Sequence, residues 1–228
     1  MSLQFCCLAK NFSEVNPVAP TLLCCTPRLA SMPNMVKNAQ VVLSGESEAM
    51  ATSLLNAGAK KVFLGEAALM DSTVVTRMVH KFGSARIGLH VPVQRQAVSW
   101  SFDTKSNEDF NVVTPSLCEP VWEVLKANGE PTGVRAANWI SAMLQHGAGT
   151  VLLRADICDD TDLNLCAGLV ETLGDKLWVA PLTDAVPPIA DWINFGQVTQ
   201  LALPLALYHR RHALVPRATV SSAPMTMT

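Results

Sequence analysis

Eight short apolar, β-branched runs recur along this chain with helix-like segments between many of them, and this repetition restricts the fold more than any other feature. The runs cover 3–8, 21–25, 40–44, 61–64, 86–93, 150–155, 176–182 and 198–203. Segments such as VVL, KVFL and TVLL do not alternate apolar with polar residues. That pattern marks strands covered on both faces, as parallel sheets are. Between them, 46–58 carries Ala49, Met50, Leu54 and Ala57 at near-helical spacing. The segment 71–82 opens on Asp-Ser and places Val74, Val75, Met78, Val79 and Phe82 on one side before Gly83. Helices are likewise predicted over 136–146 and 162–173, with Gly147 and Gly174 as stops and Asp162 as the N-cap of the second. Eight strands with crossover helices predict an α/β fold, a (β/α)8 TIM barrel.

Three departures from a regular barrel stand out. The first two strands are joined by residues 10–20, which include two prolines and are too few for a crossover helix, so the first β-α unit is incomplete or compressed. A long insertion follows the fifth strand, in which AVSWSF and PVWEVL are expected to pair as a hairpin at about 96–127. Residues 215–228 are rich in Pro, Ser, Thr and Met without periodicity and are expected to form a disordered tail. One domain over 1–214 accounts for the rest.

Composition excludes several function classes. Lys and Arg total 17 against 19 Asp and Glu, and charged residues make up only 16% of the chain, so a broad basic surface for nucleic acid is not expected. No apolar run reaches the roughly 18–20 residues of a membrane span. The start, MSLQFCCLAK, lacks a basic leader and a long apolar region, so a soluble cytoplasmic protein is expected. Cys6-Cys7 and Cys24-Cys25 are adjacent pairs whose members point to opposite faces of a strand, so neither pair can clamp one metal ion. Reduced, buried thiols are the reading, and no cofactor is expected.

NAGAKKVFLGEAALMD, FGSARIGLHVPVQR and WEVLKANGEPTGVRAANWISAMLQHGAGTVLLRADICDDTD, read in succession, resemble units of the histidine-biosynthesis barrel family. That family holds the cyclase subunit of imidazole glycerol phosphate synthase and the phosphoribosylformimino isomerase, and the chain is more similar to the cyclase. The resemblance covers about residues 40–209. It implies two inward aspartates, ending strands one and five, that act as general acid and base in ring closure. Here Ala9 and Pro92 stand at those positions. Neither transfers a proton, so the resemblance implies a diverged barrel without cyclase activity.

The resemblance also implies phosphate sites at glycine-rich turns and helix N-termini. Gly45, Gly65, Ala67 and Ala68 keep the small residues of one such site, and Thr161 with Asp159 matches a D-G-T turn. Pro181 to Asp184 replace a double glycine, and Leu203-Pro204 a short turn, which argues against the second site. Two titratable candidates remain as catalytic groups. Asp159 lies in the acidic turn D-I-C-D-D-T-D, where clustered carboxylates could bind a cation or raise one another's pKa. His90 shares strand parity with Pro92 and so points into the lumen. Three functions follow as expectations: a barrel binding a phosphorylated metabolite, a non-catalytic subunit that binds a protein partner or a second copy, and a lyase or isomerase with a new site in the barrel mouth.

Overall fold

The computed structural model describes residues 3–15, 19–25, 36–96 and 120–215, with the backbone alone of 105–107 and 110–112. The eight apolar runs form parallel staves: β1 (Gln4–Ala9), β2 (Thr21–Cys24), β3 (Gln40–Val42), β4 (Lys61–Leu64), β5 (Ile87–Arg95), β10 (Thr150–Arg154), β11 (Leu177–Ala180) and β12 (Gln200–Pro204). They pair in that order, β5 with β10, and β12 closes the ring on β1 with Gln4 opposite Gln200. The result is a closed (β/α)8 TIM barrel, and closure leaves no sheet edge among the staves.

Burial on both stave faces explains the unbroken apolar runs. Cys6, Leu8, Leu22, Val42, Phe63, Leu152, Ala180 and Ala202 fill the lumen. Their neighbours along the chain, among them Cys7, Ala9, Leu23, Val41, Val62 and Leu153, pack against the helices. Gly88 on β5 makes room for the largest fully buried side chain of the lumen cluster, because a methyl group there would stand 2.6 Å from the Phe63 ring.

The outer layer contains α1 (Glu48–Asn56), α2 (Glu66–Met70), α3 (Thr73–Phe82), α4 (Ala136–Gln145), α5 (Asp160–Leu173), α6 (Ile189–Asn194), α7 (Leu205–His209) and α8 (Arg211–Leu214). The four predicted helices fall at α1, α3, α4 and α5, while α2, α6, α7 and α8 are short segments without a legible stripe. Between β1 and β2 the described residues hold a single 3-10 turn, Phe12–Glu14, in keeping with a compressed first unit.

Three expectations are corrected. PVWEVL does form a strand, β8 (Trp122–Leu125), but it pairs antiparallel with the end of β5 at Val93–Arg95 and with β9 (Pro131–Arg135). AVSWSF lies outside the described residues, and the short pair β6 (Lys105–Asn107) and β7 (Phe110–Val112) forms a separate ladder. The physical reason is that β5 runs past the barrel rim, and its unpaired edge there accepts β8. Second, α5 begins at Asp160 with Asp159 as its N-cap, because the Asp159 carboxylate accepts the Asp162 N–H at 3.0 Å. Third, Ala9 faces the helices, and Leu8, like Cys6, faces the lumen. Apart from Val215, the predicted tail lies outside the described residues. No helix among the described residues is long and apolar enough to cross a membrane.

Candidate functional site

A cavity of about 120 Å³ opens at the C-terminal end of the staves. Ser44 after β3, Gly65 and Glu66 after β4, His90 and Pro92 on β5, Arg154 on β10 and Leu182 after β11 line it, and the β8–β9 hairpin covers it with Val124 to Ala127 and Gly129. Pro92 is opposite Arg154 in the parallel register, and His90 opposite Leu152, so the two polar side chains are diagonal neighbours on one lumen face.

His90 is 3% exposed. Its Nδ1 lies 3.2 Å from the Leu43 carbonyl oxygen. A carbonyl only accepts, so Nδ1 carries the proton and donates it there. Nε2 is then a lone-pair acceptor, and it has no hydrogen-bond partner. Burial and the nearby Arg154 charge push the imidazole down to about 3, which keeps it neutral. Arg154 donates through Nε to Pro181 O at 3.1 Å and through one terminal nitrogen to Leu182 O at 2.7 Å. No carboxylate pairs with it among the described residues.

Around this mouth four backbone donors face the chain's own carboxylates. The Ser44 N–H donates to Glu46 Oε2 at 2.7 Å, and the Ala127 N–H to Glu66 Oε2 at 3.0 Å. Asp156 Oδ1 accepts both the Leu182 and the Thr183 N–H, each at 3.1 Å. The glycines have packing reasons of their own. A methyl group on Gly65 would stand 2.5 Å from the Ser44 carbonyl oxygen and 2.6 Å from that of Leu43. One on Gly45 would meet the Ala127 side chain of the hairpin at 3.0 Å.

The structure thus gathers His90 and Gly65 at one cavity and sets Gly45 at its hairpin-covered rim. Ala68 is buried against the helix layer, and Ala67 lies beside it on α2. Asp159 and Thr161 do not line the cavity. Asp159 caps α5 and pairs with Arg95 at 2.5 Å, and that guanidinium holds its carboxyl below the usual range. Its neighbour Asp162 has a side chain only 7% exposed and accepts from Arg95 Nε, Trp122 Nε1 and the Cys158 N–H. Among the described residues no three His, Cys, Asp or Glu side chains are grouped to hold a metal ion.

Sequence reasoning missed Arg154. It lies within the apolar run 150–155, yet its parity with Leu152 turns it into the lumen. The signal was there: a charged residue closing a stave of apolar ones. A second cavity, of about 630 Å³, lies between α4 and α5 on the outer surface and shares no residue with the mouth.

A family model described as "Histidine biosynthesis protein" matches residues 38–160, which hold β3 through the start of α5 and thus Gly45, Gly65, His90, Pro92 and Arg154. An imidazole glycerol phosphate synthase subunit HisF from Dehalococcoides mccartyi (strain CBDB1) is 29% identical over 126 residues, 55% of this chain and 42% of that protein. The same-named subunit from a second strain of that organism is 31% identical over 119 residues, 50% of this chain and 39% of that protein. The chain thus spans about two fifths of the length of these relatives.

Proposed function

Because the chain belongs to the histidine biosynthesis protein family, we propose that it is a member whose barrel no longer performs ring closure and whose mouth admits only a ligand much smaller than a doubly phosphorylated one. The observation that carries this reading is the lining of the mouth. Its one carboxylate among the described residues, Glu66, is engaged by the Ala127 N–H, and Pro92 stands opposite Arg154 on the neighbouring stave.

Acid–base catalysis needs a group that gives or takes a proton at the reacting atom, and each such group contributes roughly 10²–10⁴-fold. His90 is held neutral with its proton committed to Leu43. The other polar group, Arg154, carries a guanidinium, a side chain suited to binding an anion and not to acid–base work. Size points the same way. Sites for drug-sized ligands occupy roughly 300–1,000 Å³, against about 120 Å³ here. The N–H groups of Ser44, Leu182 and Thr183, in the turns after β3 and β11, are given to Glu46 and Asp156, and a dianion placed beside those carboxylates would be repelled.

The test is a steady-state assay of the purified chain with the cyclase substrate and ammonia. The expected rate equals that of the uncatalysed reaction. Saturable turnover abolished by a substitution at the mouth would overturn the reading.

A further inference from the structure

The barrel mouth contains a buried acceptor without a donor and a cation without an anion, side by side. His90 Nε2 is the one buried side-chain nitrogen or oxygen among the described residues with no hydrogen-bond partner. Leaving such a group unsatisfied is destabilising, so its retention calls for a partner. Arg154 uses Nε and one terminal nitrogen on the Pro181 and Leu182 carbonyls, and its second terminal nitrogen makes no hydrogen bond among the described residues. Both side chains line the same cavity, with the Ser44 residue on its wall.

We infer that this cavity is a binding site for a small monoanion that carries a hydroxyl donor next to its charge, of the α-hydroxycarboxylate class, with the hydroxyl donating to His90 Nε2 and the carboxylate accepting from Arg154. The inference deepens the reading of the mouth given above and rests on it for the ligand's size. Four observations select the class. Nδ1 is committed as a donor to Leu43, so Nε2 can only accept and the ligand must donate to it. The unpaired guanidinium asks for an anion. The Glu66 carboxylate on the same wall disfavours a dianion, which argues for a carboxylate over a phosphate. Benzene's six heavy atoms fill an apolar cavity of about 150 Å³, so a cavity of about 120 Å³ accommodates around five, the number in glycolate. The neutral state of the imidazole follows from its burial and from Arg154 beside it.

The experiment titrates the full chain at pH 7 with glycolate, acetate, hydrogen phosphate and sulfate, reading calorimetric heat and thermal midpoint. Glycolate is expected to bind at least tenfold more tightly than acetate, and more tightly than either dianion. His90→Leu should abolish the preference of glycolate over acetate, whereas Arg154→Met should weaken both. Should a variant fail to fold, the ring ¹⁵N spectrum of the wild-type chain serves instead: the Nε2 resonance of one neutral histidine should move with glycolate and stay in place with acetate. Equal binding of glycolate and acetate overturns the role of His90, and tighter binding of hydrogen phosphate overturns the carboxylate class. If none of the four binds, the cavity holds water only and the inference is wrong. Turnover of the cyclase substrate would refute the wider reading while leaving these titrations to be judged on their own.

Discussion

The indole N–H of Trp122 donates to the Asp162 carboxylate at 3.0 Å, joining the hairpin that covers the barrel mouth to the first turn of α5. Arg95, on the part of β5 that extends past the rim, reaches both oxygens of the same carboxylate, through Nε to Oδ1 at 3.1 Å and a terminal nitrogen to Oδ2 at 2.8 Å. The Cys158 N–H adds a further donor to Oδ2. One buried carboxylate therefore fastens three elements.

Removing it leaves the indole and the guanidinium without their acceptor. Asp162→Ala is expected to lower unfolding stability by about 2–4 kcal/mol, measured by denaturant titration. Amide exchange should quicken first in β8 and β9, since the covering hairpin loses its tie. A variant with wild-type stability and wild-type hairpin protection would contradict this role.

His90 makes stability depend on pH in a stated direction. The ring is held near 3 in the folded chain but titrates at about 6.5 when unfolded. Between those values the unfolded chain binds a proton that the folded chain refuses, so the contribution is complete above about 6.5 and is lost as pH falls. From pH 6.5 to 4.5 the loss from this one group is about 2 kcal/mol. Carboxylates held low by their partners, such as Asp159 beside Arg95 and Asp184 beside Lys10, add losses of the same sign at more acid pH. Chemical denaturation of the wild type and His90→Gln across that window should therefore diverge in slope. Parallel curves would show that the ring is not held neutral.

Gly88→Ala tests how tightly the lumen is packed. The added methyl would press on the Phe63 ring at 2.6 Å, and overpacking of this kind costs about 1–3 kcal/mol. Combining it with Phe63→Leu should recover part of the loss, because the colliding ring is then gone. If the two changes simply add, the contact is not the cause.

The staves were legible in the sequence because burial on both faces leaves unbroken apolar runs, and each predicted run overlaps an observed strand. The opposed facing of Cys6 and Cys7 was likewise legible, with one in the lumen cluster and the other against the helices. What the sequence hid depends on contacts between distant segments. Leu8 was passed over for Ala9 because the position came from a family match at a stave's end, not from parity counted along the stave. The hairpin's partner was missed because nothing in HVPVQR marks where β5 leaves the ring and offers its edge. The acidic turn looked like a candidate metal or acid site, and only the fold brings Arg95 and Trp122 to it. His90 was found by parity alone, while Arg154 went unseen inside an apolar run and Glu66 proved to be the hairpin's acceptor.

Calorimetric titration with imidazole glycerol phosphate tests most directly whether the mouth has closed to the ligands of the relatives. The narrow lumen, the covering hairpin and the carboxylate-capped turns predict no saturable heat up to about 1 mM. Stoichiometric binding in the micromolar range, weakened by substitution of Arg154, would contradict the account.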